Sequence, residues 1–245
     1  MDPVAFTLFG LEVKWYGILI SSGIVIGALL AFREAKRVGF KEDDLIDVLL
    51  YAIPFSVLGA RLYYVAFTWD YYGKNPKQIL NFRGGGMAIH GALIAAVVTA
   101  IIFCKKRKVN FWQLVDICAP SIVLGQAIGR WGNYINQEAY GTPTDLPWGI
   151  VIDGVKVHPT FLYESIWDFL VFIFLMWYRK NKSKVRGETF LLYLVLYSLG
   201  RFFIEGLRTD SLMLGPIRIA QLVSLVTAIA AMIIVFYRKK KASIS

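Results

Sequence analysis

Gly129, Arg130, Gly132, Asn133, Asn136, Glu138 and Gly141 fall in one short stretch at the end of a long apolar run. Glycines at this spacing permit close backbone approach, and two amides with a carboxylate can hold a guanidinium or a glycerol-type hydroxyl. The stretch therefore reads as a binding loop. Further on, Tyr197, Arg201, Glu205 and Arg208 recur at spacings of four, four and three, which puts them on one helix face. Arg201 lies inside an apolar run, where a charge costs ~2.5–3.5 kcal/mol at a helix centre. Glu205 can pair with it, and an anion can offset what remains. A planar guanidinium binds phosphate oxygens two at a time. Arg130 and Arg201, with Arg61 near the end of another apolar run, thus suit a phosphate group, and an anionic phospholipid is the nearest ligand of that kind. His90 follows the glycine-rich Arg83-Gly84-Gly85-Gly86, and a neutral imidazole there can accept a proton. Tyr16 and Tyr197 sit at the same depth and are set apart from the remaining aromatic residues, which read as an interfacial belt.

Each of these residues also has a plainer reading. Arg130 alone is an interfacial arginine that snorkels to headgroups, and Arg201 with Glu205 is a buried ion pair. His90 alone is a histidine bonded to a carbonyl, and His158 is a turn residue before Pro159. Glu164, a carboxylate at the mouth of an apolar helix, resists such a reading, whereas Asp116 and Asp168 read as structural. What favours chemistry is that the polar groups share one depth. Neither a Ser-His-Asp pattern, a His-Glu-x-x-His element nor a thiol beside a base is present, so the chain supplies no covalent nucleophile and both reacting groups belong to substrates. Two histidines and two cysteines are too few for a metal centre, and neither a metal nor another cofactor is expected.

The elements that must position these residues are apolar helices. Of the 245 residues, 57% are hydrophobic and 18% charged, too apolar a balance for a soluble domain. The net charge of +10 would suit nucleic acid in a soluble protein, but the basic residues cluster between apolar runs, so orientation in a bilayer explains them and no nucleic acid is expected. The sequence predicts an all-α polytopic membrane protein, a single integral membrane domain over 1–245 with seven transmembrane helices at 15–32, 45–67, 87–104, 111–129, 160–178, 189–207 and 217–237. Basic residues follow the odd-numbered spans, at Arg33 to Lys41, Lys105 to Lys108, Arg179 to Arg186 and Arg238 to Lys241. By the positive-inside rule the N-terminus is outside and the C-terminus cytoplasmic. The main external loop, 130–159, then lies over an outer-leaflet cavity, and the alternating residues 148–157 predict a short hairpin. Residues 1–14 carry Asp2 and Glu12 and nothing basic before Lys14, so they lack the n-region of a secretory signal. Gly23 with Gly27, and Gly125 with Gly129, have the four-residue spacing of close helix packing. No internal repeat is visible.

The motif Gly129-Arg130-x-Gly132-Asn133-Tyr134-Ile135-Asn136-x-Glu138-x-x-Gly141 resembles the signature of the prolipoprotein diacylglyceryl transferases, with Tyr134 where phenylalanine is usual. Trp15-Tyr16-Gly17, Gly59-Ala60-Arg61-Leu62, Met87-Ala88-Ile89-His90-Gly91, His158 to Glu164 and Arg201 to Arg208 extend the resemblance along the whole chain, with Ala92 in place of a common glycine. The resemblance implies a multi-pass enzyme of the bacterial plasma membrane, its active site facing outward. It implies transfer of sn-1,2-diacylglyceryl from phosphatidylglycerol to the lipobox cysteine of a prolipoprotein signal peptide, forming a thioether and releasing glycerol 1-phosphate. It further implies phospholipid binding by Arg130 and Arg201, and a link to activity for Tyr16, His90, Asn133, Glu138, Gly141 and Glu205. His90 is then the candidate base for the thiol. Two other readings stand beside this one. A lipid transporter would use the same arginines without chemistry, and a membrane scaffold would explain the helix packing alone.

Overall fold

Apolar runs bounded by charge fold here as long helices, and among the described residues the strands form three two-stranded antiparallel hairpins, beside the isolated bridges Gly141 to Arg208 and Pro143 to Val157. The computed structural model describes residues 3–82 and 85–243, so Asp2, Arg83 and Gly84 lie outside the described residues. In chain order the elements are β1 (Val4–Leu8), β2 (Leu11–Lys14), α1 (Trp15–Arg37), α2 (Glu42–Phe67), α3 (Trp69–Tyr72), a 3-10 turn (Pro76–Gln78), α4 (Ile89–Arg107) and α5 (Phe111–Ile135). They continue as β3 (Ile150–Ile152), β4 (Val155–Val157), α6 (Thr160–Asn181), α7 (Glu188–Glu205), β5 (Met213–Leu214), β6 (Ile217–Arg218) and α8 (Ile219–Ala242). Among the described residues six helices, α1, α2, α4, α5, α6 and α8, are long and apolar enough to cross a membrane. The seventh expected span is the 18-residue α7, which stands outside that group and carries Glu188, Arg201 and Glu205.

Burial is distributed as a hydrocarbon solvent requires. Large apolar residues are exposed along the helices, among them Ile24, Val25 and Leu29 on α1 and Val223, Val226, Ile233 and Phe236 on α8. Buried polar residues include Arg61, Thr160, Glu164, Asp168, Glu188, Ser198 and Glu205. An apolar exterior of this extent would aggregate in water and is at home among lipid tails.

The chain divides into two compact units, Met1–Ala31 with Val115–Ser245, and Phe32–Leu114. In the first unit, Ala119 and Val123 of α5, Val171 and Leu175 of α6 and Tyr193 of α7 form a buried core. The small residues act as the spacing suggests. A Cβ on Gly23 would stand 3.4 Å from Gly125 Cα, and one on Gly27 would stand 3.4 Å from Ser121, so α1 and α5 approach closely there. The start of α7 is held from several sides. Asp116 accepts the backbone N–H groups of Gly187 and Phe190, and Glu188 accepts those of Lys184 and Val185 while pairing with Lys239. The Asp116 bonds satisfy donors at the N-terminus of α7 that would otherwise be unpartnered, which agrees with the structural reading of Asp116, and the Glu188 bonds hold the connection before the helix.

The hairpin expected within 148–157 is present as β3 and β4. Its two-residue turn, Asp153 and Gly154, has φ of 49° and 80°, as a type I′ turn requires. The β1–β2 and β5–β6 hairpins were not anticipated. Phe9-Gly10 and Gly215 at their turns were the available signals, with Phe9 and Gly10 both at positive φ. In the second unit α2 packs against α4, and a Cβ on Gly59 would stand 2.7 Å from the Gly91 carbonyl oxygen.

On α7 a Cβ at Gly200 would collide with the Trp167 indole, whose Nε1 donates to the Leu196 carbonyl at 2.9 Å. Gly200→Val is therefore expected to cost ~1–3 kcal/mol through overpacking. Thermal unfolding in detergent checks this, with a lowered midpoint as the expected result.

Candidate functional site

The first unit gathers three of the expected arginines around one carboxylate. Glu164, in the second turn of α6, reaches Arg130 near the end of α5, with Nε to Oε2 at 2.5 Å. Its other oxygen takes Arg201 Nη1 of α7 and faces Arg208 Nη1 at 3.6 Å. Arg201 Nη2 pairs with Glu205 Oε2 at 2.7 Å, one turn along the same helix, and Arg208 Nε stands 3.8 Å from the same oxygen. Tyr197 completes the face expected on α7, its hydroxyl accepting from Arg130 Nη2 at 3.4 Å. The side chains of Glu164 and Glu205 are 5% and 3% exposed, those of Arg130 and Arg201 19% and 20%. An anion arriving at this cluster therefore meets guanidinium before carboxylate. The carboxylates fix the forks, and the forks remain able to bind phosphate oxygens.

Residues the sequence reading left aside complete the surroundings. Glu164 had been noted without a role and proves to be the hub. Asp168, read as isolated, lies one turn further along α6, is 2% exposed, and its Oδ2 lacks a hydrogen-bond partner among the described residues. Arg218 donates to the carbonyls of Glu205 and Arg208 and to Ser211 Oγ, so a cation closes the C-terminus of α7. In sequence Arg218 is the second residue of the expected span 217–237, whereas α8 begins only at Ile219. Arg208 also donates twice to Asp210, at 3.0 and 2.6 Å. Burial opposes ionisation of Asp210, but the Arg208 bonds and charge outweigh it and hold its carboxyl below the usual range.

The glycine-spaced signature departs from the expected loop in one respect. Helix α5 continues to Ile135, so Arg130 and Asn133 are helical and the loop begins only afterwards. The reason lies in packing, since Tyr134 stacks on Phe161 at 4.6 Å and Trp131 meets the same ring edge-on at 5.5 Å. Asn133 in the last turn of the helix and Asn136 just beyond it both donate to Glu138 Oε1, at 2.9 and 3.3 Å. Gln137 and Ala139 flank that carboxylate with φ of 54° and 59°, an uncommon conformation for residues with a Cβ. Gly141 bridges Arg208, and a Cβ there would stand 2.7 Å from the His158 Cβ. Gly132 admits the Tyr16 ring in the same way. Tyr16, Asn136 and Glu138 line a cavity of about 640 Å³ together with Pro3, Lys14 and Gln137. Lys14 and Gln137 were not singled out from sequence.

The second unit holds His90 and Arg61. His90 is exposed at the second residue of α4, its ring centroid 6.1 Å from that of Tyr63. Arg61 is 2% exposed, and all three guanidinium nitrogens donate to backbone carbonyls of Gln78, Ile79, Gly85 and Gly86. Its fork is already occupied by carbonyls, where the sequence expectation has it face a phosphate. Among the described residues no group of three or more His, Cys, Asp or Glu is arranged to hold a metal ion.

Glu164→Gln removes the charge shared by Arg130, Arg201 and Arg208. Breaking a buried pair costs ~3–5 kcal/mol, and the partial exposure of these arginines places the expected loss at or below that range. A lower unfolding midpoint in detergent, partly restored by raising the phosphate concentration, is the expected outcome.

A family model described as prolipoprotein diacylglyceryl transferase matches residues 3–237. Proteins named phosphatidylglycerol–prolipoprotein diacylglyceryl transferase are similar to this chain along nearly its full length. That of Clostridioides difficile (strain 630) is 57% identical over 98% of this chain and 97% of its own. That of Finegoldia magna is 53% identical with the same coverage, and that of Bacillus anthracis is 53% identical over 98% of this chain and 93% of its own. With a match that takes in the arginine cluster, the signature and His90 alike, the chain belongs to the prolipoprotein diacylglyceryl transferase family.

Proposed function

We propose that this protein moves a diacylglyceryl group from phosphatidylglycerol to the lipobox cysteine of a prolipoprotein at the outer side of the bacterial plasma membrane. The observation that carries the reading is the set of guanidiniums held by the sunken carboxylates Glu164 and Glu205. In the reaction the cysteine sulfur attacks the glyceryl carbon that bears the phosphate ester. The carbon–sulfur bond forms, the carbon–oxygen bond breaks, and glycerol 1-phosphate leaves with the electron pair. Its phosphate gains charge as the bond breaks, and Arg130 and Arg201 stabilise that charge because their orientation is set in advance by Glu164, Glu205 and Tyr197. Arg208 adds to the same field. His90 takes the thiol proton, which raises the thiolate fraction of a group whose ordinary pKa is ~8.5. Asn133, Asn136, Glu138 and Tyr16 hold the polar headgroup, and Gly141 keeps the loop against Arg208.

Seven spans with the N-terminus outside follow in the same reading. Basic residues crowd the last turns of α1, α4, α6 and α8, as a cytoplasmic side requires. The acids of α7 are partnered, Glu205 by Arg201 and Glu188 by Lys239 and backbone donors, which supports counting it as a span.

The deciding experiment incubates purified protein with phosphatidylglycerol and a lipobox peptide and reads the product by mass spectrometry. A cysteine-dependent gain of one diacylglyceryl mass is expected, and Arg130→Ala should lower turnover by ~10²–10³-fold or more, as loss of a charge-stabilising donor does. Lipid movement between leaflets without an adduct would instead favour a transporter. His90→Gln is expected to lower the rate by ~10²–10⁴-fold, the usual worth of a general base, and to remove the acid limb of the pH–rate profile. An unchanged profile would reassign the proton.

A further inference from the structure

We propose that Arg61 is a positioning residue that fixes the backbone entering His90, and this rests on the reading of His90 as proton acceptor. Arg61 Nε donates to Ile79 O at 2.8 Å, Nη2 to Gln78 O at 2.6 Å, and Nη1 to Gly85 O at 2.5 Å and Gly86 O at 2.9 Å. Its guanidinium carbon lies 5.0 Å from the centroid of the Tyr72 ring. A phosphate-binding arginine leaves parallel N–H groups facing the ligand, whereas this fork is 2% exposed and spent on carbonyls. The planar guanidinium suits the task, because one rigid group can hold several carbonyls that approach from different directions.

What these bonds fix is the approach to α4. Gly85 and Gly86 have φ of 80° and 74°, a conformation glycine adopts without steric cost. A Cβ on Gly86 would stand 2.7 Å from Arg61 Nη1 and 2.6 Å from the Tyr64 ring. Two residues on, the Ala88 N–H donates to Ala60 O at 3.0 Å, and α4 begins at Ile89. On the far side of His90, Gly91 meets Gly59, where a Cβ on Gly59 would stand 2.7 Å from the Gly91 carbonyl oxygen. Gly59, Ala60 and Arg61 of α2 thus grip the chain before and after His90. A base displaced by an ångström loses rate, so a clamp this specific belongs to the placement of the imidazole.

The test is Arg61→Lys, which keeps the charge and loses the fork, assayed with phosphatidylglycerol as the varied substrate beside His90→Gln. Expected for Arg61→Lys is a kcat lowered about tenfold or more, a KM for the lipid within about twofold of wild type, and a displaced acid limb of the pH–rate profile. A KM raised about tenfold with kcat retained would make Arg61 a phosphate ligand, and wild-type kinetics would show that the fork is not needed; either overturns the proposal. If Arg61→Lys does not fold, Gly86→Ala disturbs the same contact from the opposite side. A lowered kcat with unchanged KM supports the clamp, and an unchanged kcat in the folded variant overturns it. A wild-type rate and profile for His90→Gln would remove the base reading itself, which separates that failure from the failure of the clamp.

Discussion

Glu164 is the interaction on which the rest of the first unit depends. Guanidiniums arriving from α5, from α7 and from the segment after α7 converge on its two oxygens, and each would be expensive in a low-dielectric interior without it. One acid therefore ties together pieces of chain that are far apart in sequence. It also decides what the site offers. With the carboxylates sunk and the guanidiniums partly exposed, the cluster has a fixed basic edge that needs little reorganisation when a phosphate bears on it.

Two kinds of polar work are separated in the fold. Arg130, Arg201 and Arg208 pair with carboxylates and keep some exposure, whereas Arg61 and Arg218 give their N–H groups to backbone carbonyls. The first kind can exchange partners with a ligand at modest cost, because charge meets charge on either side of the exchange. The second kind cannot without loss, since withdrawing the guanidinium would take the donor from several carbonyls at once. Arginine near a membrane interface is thus poorly described by its depth alone. Its partners determine whether it binds substrate or holds the chain.

The long apolar helices were legible in the sequence because hydrocarbon imposes one dominant constraint, and their bounds depart from expectation by a few residues. The α7 face was legible for Tyr197, Arg201 and Glu205, whose spacings of four are helical, whereas α7 ends at Glu205 and Arg208 reaches Glu164 from the segment that follows. Glu164 was visible as an anomaly, but its hub role depends on α5 and α7 arriving from elsewhere. Arg61 misled for a physical reason: composition cannot distinguish a fork aimed at a ligand from one aimed at the protein's own carbonyls. The extension of α5 to Ile135 was hidden by Gly132 and Asn133, poor helix formers that Tyr134 and Trp131 outweigh by stacking on Phe161. The β1–β2 and β5–β6 hairpins escaped notice because their strands are short.

The polarity of α7 bears on how the protein is made. A segment carrying Glu188, Arg201 and Glu205 is poorly matched to lipid by itself, since a charge at a helix centre costs ~2.5–3.5 kcal/mol on insertion scales. Its compensating groups sit on helices synthesised on either side of it: Asp116 and Glu164 earlier, Lys239 later. The α7 segment therefore has its full set of partners only once α5, α6 and α8 have all been made.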